Sequence, residues 1–149
     1  MLAAAFTSGL DLELFSKKGF DAMGVDWEVF YRRAMENASE FLEFLKPEIH
    51  RDSDGIVKYV ALYSDRPLVV ASAITPAFHQ KFSGILGPEF LAIIPNRFLV
   101  YAFPKLASDF QDYAPMVIRA YKATPYPVSL EVFEVGPNGI KAIGTFQQP

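Results

Sequence analysis

Apolar side chains recur at helical spacing in the first third of the chain. At about 100° per residue one stripe collects Trp27, Phe30, Tyr31, Ala34, Ala38, Phe41, Leu42 and Leu45. Charged residues fill the opposite side, Asp26 stands at an N-cap position, and Pro47 follows the last turn. These residue types are preferred at the start and just past the end of helices. The pattern predicts a long amphipathic helix over residues 26–46 with one buried face.

Two further helices are predicted. Over residues 106–122, beginning with Leu106, a second apolar face recurs at helical spacing. Pro115 lies off that face, so either the helix kinks there or a helix restarts with Pro115 in its first turn. A shorter helix is expected after Thr75, with Thr75 as its cap, Pro76 at its first position and its end near Gly84.

The most apolar part of the chain runs from Phe90 to Phe103. Residues 90–94 and 98–103 are apolar at nearly every position, which predicts two central strands that are covered on both faces. Between them Pro95, Asn96 and Arg97 form a short turn in which Asn96 can adopt the left-handed conformation. The two strands are therefore expected to pair as an antiparallel hairpin.

The remaining apolar segments are typical of strands. They are residues 56–63 and 68–73, and a second hairpin of residues 128–135 and 140–146 around the loop 136–139. Helices and hairpins that do not alternate as βαβ units predict an α+β fold. We expect a mainly antiparallel sheet with a long N-terminal amphipathic helix and a second helix before the C-terminal hairpin. Residues 1–149 are predicted to form one domain, with residues 1–23 at its periphery.

Composition and charge narrow the classes of function. The chain has 149 residues, of which 51% are hydrophobic, and this is enough to bury a core without staples. A net charge of −3 without any basic run argues against a nucleic-acid partner. The absence of cysteine excludes disulfides and thiolate metal sites and is typical of a cytoplasmic protein. Residues 95–97 divide the longest apolar run, so no membrane span is predicted.

Four features follow one another in a recognisable order. These are Gly24-Val25-Asp26-Trp27 before the long helix, a strand pair, Ile94-Pro95-Asn96-Arg97 followed by Phe98-Leu99-Val100-Tyr101, and a helix before Pro127-Val128-Ser129-Leu130. Over roughly residues 24–146 this order resembles the YtpQ-like family of bacterial proteins, a domain of unknown function. The resemblance implies a bacterial, cytosolic protein, and it implies no activity, cofactor or catalytic residue.

Patterns for catalysis and metal binding are weak. The two histidines, His50 and His79, are separated by several predicted elements, and their spacing matches no zinc signature. Residues 51–55 resemble the start of a calcium loop but lack the glutamate such a loop needs further on, so a polar turn is expected. No serine-nucleophile or phosphate-loop motif is present. The sequence predicts no catalytic residue, no metal site and no cofactor.

The candidate binding residues are Asn96 and Arg97, which place an amide and a guanidinium at the tip of an apolar hairpin. Arginine binds carboxylates and phosphates through paired donors, although turn chemistry or local pairing also explains both residues. The candidate interface residues are Phe44, Tyr121 and Tyr126, which lie off the buried helix face or beside prolines. Exposed aromatic residues often mark partner surfaces, although scattered ones need no partner.

The sequence therefore favours a non-enzymatic binding or protein-interaction module that binds a protein partner or associates with itself. One alternative is a small-ligand-binding protein or hydrolase-like enzyme, with a cleft near Asn96 and Arg97 that includes His50 or His79. Another is an immunity or chaperone-like protein that neutralises a partner, which the acidic net charge permits.

Overall fold

The structure is a computed structural model that describes residues 5–8, 11–107 and 109–146. Its strands are β1 (Ala5–Ser8), β2 (Asp11–Leu14), β3 (Glu48–Arg51), β4 (Val57–Tyr63), β5 (Phe90–Asn96), β6 (Leu99–Pro104), β7 (Glu131–Gly136) and β8 (Gly139–Thr145). Its α-helices are α1 (Lys17–Ala22), α2 (Trp27–Phe44), α3 (Leu68–Ser72), α4 (Pro76–Leu86) and α5 (Ala114–Lys122), and a 3₁₀ turn at Phe110–Tyr113 precedes α5. The prediction of a single domain over residues 1–149, with residues 1–23 at its periphery, lies in part outside the described residues.

Six antiparallel strands form the main sheet in the order β3-β4-β6-β5-β7-β8, and β1 and β2 pair separately. The central strands β5 and β6 pair with Ala92 opposite Ala102 and Ile93 opposite Tyr101. Most of their residues are buried, because helices cover both faces of the sheet at this position. The predicted α+β class with an antiparallel sheet is confirmed, and so is the central hairpin.

Two cores lie on opposite faces of this sheet. On one face α2, α3 and α4 pack against the strands, and the rings of Phe78, Phe82 and Phe90 are fully buried. On the other face α5, through its buried Val117, and the 3₁₀ turn, through Phe110, pack in one cluster with Phe103. Burying one large apolar side chain stabilises a fold by roughly 1.5–3 kcal/mol. Both sheet faces therefore contribute to stability, and β5 and β6 are held between them.

The long helix α2 begins as predicted. Asp26 caps it, because its carboxylate accepts the Glu28 N–H at 2.8 Å. The prediction of one buried face is wrong for the first half, where Trp27 is 43% and Tyr31 is 39% exposed. Only the second half contributes to a core, through residues such as Leu42. The apolar stripe continues beyond the protein surface that can cover it.

Where a strand was predicted over residues 68–73, Leu68–Ser72 form the helix α3 and Ala73 is its C-cap. Pro67 has helical backbone angles and starts the turn, and the Ser72 hydroxyl donates to the Val69 carbonyl at 2.7 Å. The short apolar run favours a strand by propensity, but packing of the buried Val69 in the core decides the conformation.

The helix predicted over residues 106–122 begins only at Ala114, with Pro115 in its first turn. The restart alternative is therefore confirmed and the kink is wrong. Leu106, expected on the buried face, is 94% exposed in the turn after β6. Proline is favoured in the first turn because the backbone donor that it lacks has no intrahelical partner there.

The turn between β5 and β6 is tighter than expected. Asn96 still belongs to β5 and pairs with Leu99, so the two turn residues are Arg97 and Phe98. A left-handed Asn96 is wrong, since no described residue other than glycine has a positive φ. The predicted C-terminal hairpin is confirmed as β7 and β8, while Val128 instead donates its N–H to the Pro95 carbonyl beside the end of β5.

Four short elements, β1, β2, α1 and β3, are not predicted by the sequence pattern. All four residues of β3 are exposed, so their side chains carry no alternating pattern. The expected polar turn at residues 51–55 joins β3 to β4, with Gly55 at φ 82°. Throughout the described part of the chain, each helix is too short or too polar to cross a membrane.

Candidate functional site

The tip of the central hairpin brings together Arg97 and Tyr126, two residues that the sequence singled out separately. The Arg97 backbone N–H donates to the Tyr126 carbonyl at 3.2 Å, and the guanidinium carbon lies 4.6 Å from the centre of the Tyr126 ring. Phe98 meets the same ring edge-on at 6.1 Å. An arginine over a tyrosine face is held by the quadrupole of the ring, so this pair forms a small preorganised surface.

Asn96 serves the fold at this tip. Its side-chain amide donates to the Ala120 carbonyl at 2.9 Å, and its amide oxygen accepts the Phe98 N–H at 2.9 Å. The residue is 7% exposed. The amide therefore ties α5 to the hairpin, and the predicted ligand contact of Asn96 stays a prediction without a role in the proposal below.

The two histidines lie away from the hairpin tip. The ring of His79 stacks at 6.0 Å on Phe90, which begins β5, whereas Asn96 ends it about 20 Å further on. His50 stacks at 4.2 Å on Tyr59 of β4. Tyr59 lies four residues before Tyr63, which pairs with Leu99 next to the hairpin tip. A shared cleft of Arg97 with either histidine, which the enzyme alternative requires, finds no support in these positions.

The candidate interface residues lie on α2, on α5 and in the loop after α5. Phe44 ends α2 and is 83% exposed, and Tyr126 is also exposed. Tyr121 is half-buried against the core beneath α5. The three residues do not share an element, and their predicted role as an interface stays a prediction.

A larger feature lies at residues 13–37, which we call the arm. It comprises the end of β2, α1 and the first half of α2. Not one residue between Glu13 and Asn37 is buried, and Ala38 is the first buried residue of the helix. Neither core includes a side chain from the arm. The arm therefore extends beyond the two packed layers.

The arm contains a small aromatic cluster of its own. Among the described side chains it includes Phe15, Phe20, Trp27, Phe30 and Tyr31. Phe20 is central, because its ring lies 5.1 Å from Phe30, 5.6 Å from Trp27 and 6.4 Å from Phe15. Edge-to-face ring pairs of this kind stabilise by about 0.5–1.5 kcal/mol beyond burial. The cluster links α1 to α2 but leaves its outer side in water.

Exposed apolar side chains occur throughout the arm. The large ones are Leu14, Met23, Val25, Trp27, Val29 and Tyr31. On α2, Trp27, Tyr31 and Ala34 continue the stripe that the second half of the helix buries, and Val29 lies on the opposite side. A groove of about 660 Å³ adjoins the stripe between Tyr31 and Met35 on α2 and the corner before α4. We call Trp27, Tyr31 and Ala34 the arm stripe.

Two lysines organise acidic groups elsewhere on the surface. The Lys105 ammonium lies 2.6 Å from both Glu89 and Glu134. The hydrogen bond that Lys105 donates to Glu89 lowers the pKa of Glu89. Lys58 lies 3.1 Å from Asp109 and 3.5 Å from Asp52. The pKa of both lysines is raised by these partners. Each lysine therefore stays protonated and links two acidic side chains, so it is unsuited to act as a base at neutral pH.

Tyrosine side chains cluster on the face of the sheet that α5 partly covers. Tyr59 lies 5.9 Å from Tyr101 and 5.4 Å from Tyr113, ring centre to ring centre. Burial raises the pKa of Tyr59, and the charge of Glu48 adds to this. Burial likewise raises the pKa of Tyr101. These phenols stay neutral at physiological pH, so the cluster provides no phenolate nucleophile.

A cavity of about 410 Å³ lies between the start of α4 and the turn joining β7 to β8. Its size suits a small ligand. Of its polar side chains, Thr75 donates to the Ser72 carbonyl and His79 bonds to the Pro88 carbonyl. Among the described residues, no carboxylate, lysine or arginine lines it. Both side chains are thus engaged with backbone carbonyls.

Within residues 5–8, 11–107 and 109–146, no three side chains are grouped as metal ligands. No family model, no curated protein and no solved structure matches this chain. The arm is a feature that the sequence pattern did not predict. Its signal in the sequence is the occurrence of five aromatic residues between positions 15 and 31.

Proposed function

We propose that this protein is a non-enzymatic interaction module that binds a protein partner through the arm. One observation carries the proposal: the arm stripe continues the apolar face of α2 past the last residue that a core covers, and Trp27 and Tyr31 stay exposed. Isolated exposed apolar residues are normal, but a continuous patch marks a contact surface.

The size of the exposed surface supports this function. At their exposures, Leu14, Met23, Val25, Trp27 and Tyr31 together present on the order of 500 Å² to solvent, backbone and polar atoms included. The largest apolar patch on a typical monomer is about 300–600 Å² and is often functional. Tryptophan and tyrosine are also the residue types that dominate binding energy at interfaces. The hydrophobic effect therefore favours covering the arm with another protein surface.

A site-specific photo-crosslinking experiment in the source cell tests this function. A photoreactive residue at Ala34 lies on the arm stripe, and one at Leu106 is a matched exposed control far along the chain. We expect protein adducts from position 34 and none from position 106. Equal adducts from both positions, or none from position 34, would contradict an arm-mediated function.

The other expectations from sequence belong to the same proposal. A cytoplasmic location is supported by the absence of cysteine, and a bacterial origin and YtpQ-like relationship rest on the order of sequence features alone. An immunity or chaperone-like role would be a special case of partner binding through the arm. The adduct identified from position 34 distinguishes these cases.

A further inference from the structure

We infer that the arm stripe is covered by the arm of a second copy of this chain, so that the protein is a symmetric homodimer. This inference rests on the proposed function and names its partner. The supporting observation is that the arm, residues 13–37, holds a cluster of five described aromatic rings. None of these rings belongs to either core of the body.

The first argument is the limited packing of the arm. The arm is continuous with the second half of α2, and its Leu14 pairs with Ala5 of β1, but it contributes no side chain to either core. Small apolar clusters are commonly supplemented by disulfides, metals or oligomerisation. The chain has no cysteine, and its two histidines, His50 and His79, lie outside the arm, so disulfides and a cysteine-histidine zinc site are not available to it. Association with another protein surface is then the remaining way to enlarge the apolar contacts of the arm.

The second argument is the area that a dimer needs. A standard interface buries about 800 Å² per partner, and about 65% of a homodimer interface is apolar. This corresponds to about 500 Å² of apolar surface on each copy, and the exposed apolar residues of the arm present a total surface of the same order.

The third argument is charge. The arm carries four basic residues, Lys17, Lys18, Arg32 and Arg33, and five acidic residues, Glu13, Asp21, Asp26, Glu28 and Glu36. The two signs are interspersed and nearly cancel. A second arm is therefore not repelled, whereas a strongly acidic or basic partner gains nothing from this surface. A two-fold axis lets each stripe cover the other, since an isologous interface uses the same patch twice.

The test compares two substitutions on opposite sides of α2. Ala34→Glu places a charge in the arm stripe, and Val29→Glu places the same charge on the other side of the helix at an exposed position. Glutamate is a good helix former, so both variants keep α2, which far-UV circular dichroism checks. Sedimentation equilibrium of the full chain from about 1 to 100 μM measures association, and Trp27, the single tryptophan, reports burial of the stripe by fluorescence.

We expect the wild-type chain and V29E to dimerise, at twice the 16.7 kDa of one chain, and Trp27 emission to shift to the blue as concentration rises. A34E should weaken the dimer at least tenfold and abolish the shift. A wild-type monomer at all concentrations overturns the inference, as does a dimer that A34E leaves intact. If the chain is monomeric but position 34 crosslinks to a different protein, the homodimer is excluded and the proposed function stands. If position 34 gives no adduct at all, both fail.

Discussion

Arg97 and Tyr126 form a pair at the hairpin tip, with the guanidinium carbon 4.6 Å from the ring centre and a backbone hydrogen bond of 3.2 Å between them. The backbone bond does not depend on the arginine side chain. The tip therefore has two layers of contact, one that any residue at position 97 can make and one that needs the guanidinium.

Arg97→Ala should lower stability only slightly. It removes a partly exposed cation–π contact worth about 0.5–1 kcal/mol and leaves the hydrogen bond to the Tyr126 carbonyl in place. For a chain of this size, roughly 2–4 °C in melting temperature is expected per kcal/mol. Thermal unfolding followed by circular dichroism measures the change. A loss above about 3 kcal/mol would show that the guanidinium holds the fold together.

Asn96→Ala should be more costly than the change at its neighbour. Substitution leaves the Phe98 N–H and the Ala120 carbonyl without their present partners. A fully buried group left unsatisfied costs about 1–3 kcal/mol, and these two bonds are partly buried. We expect a loss of about 1–3 kcal/mol in urea unfolding. Asn138→Ala, at an exposed turn position, is the matched control and should change stability by less than about 0.5 kcal/mol. Similar losses in both variants would contradict the structural role of Asn96.

The contrast between Asn96 and Arg97 indicates what the sequence could predict. The apolar runs on either side fix the hairpin, because a strand buried on both faces needs apolar residues throughout. The amide of Asn96 gains its role from α5, whose Ala120 is 24 residues away. No local pattern contains that contact.

The two halves of α2 show the same limit for the site. Trp27 and Leu42 fall in one stripe by sequence, and the periodicity is equally good for both. Only the position of the sheet decides that Leu42 is buried while Trp27 is exposed. The strand prediction for residues 68–73 is wrong for a related reason. Val69 is buried in a helix by tertiary packing, which residue propensities do not describe. Tertiary context, rather than local pattern, separates core from candidate interface.

Acid should weaken the fold through the carboxylates around Lys105. The hydrogen bond from Lys105 holds the pKa of Glu89 below its ordinary value. A carboxyl whose pKa is lower in the folded chain stabilises it above the unfolded pKa, and this stabilisation is lost as the pH falls through the folded pKa. The free energy of unfolding should therefore decrease as the pH falls below about 4.5.

Lys105→Met tests this assignment. Without the ammonium, the pKa of Glu89 should return towards its ordinary value, so the free energy of unfolding should depend less steeply on pH between about 5 and 2. Lys17→Met is the control, because Lys17 and Asp21 form a largely exposed pair one helical turn apart. An unchanged slope in the Lys105 variant would assign the acid sensitivity to other groups. At the alkaline end the raised pKa of Lys105 predicts the reverse, with its stabilisation lost as the pH rises through the folded value.

The arm should unfold separately from the body of the protein. Its aromatic cluster shares no side chain with either core, so the two parts lack the common packing that makes unfolding a single transition. Trp27 is the single tryptophan, and its fluorescence reports the arm, whereas far-UV circular dichroism is dominated by the sheet and the helices of the body. At one fixed protein concentration, we expect the fluorescence transition at a lower temperature than the dichroism transition.

Phe20→Ala should lower the first transition alone. Phe20 contacts three rings of the arm and none in the cores, so its removal loosens α1 from α2 and leaves the dichroism midpoint within about 1–2 °C of wild type. Phe82→Ala is the opposite control, because this fully buried ring lies in the body and its loss should cost about 3–5 kcal/mol in the second transition. Coincident transitions that both substitutions shift equally would mean that the arm and the body fold as one unit. In that case the body would stabilise the arm stripe. The limited packing of the arm would then no longer favour a second copy as its cover.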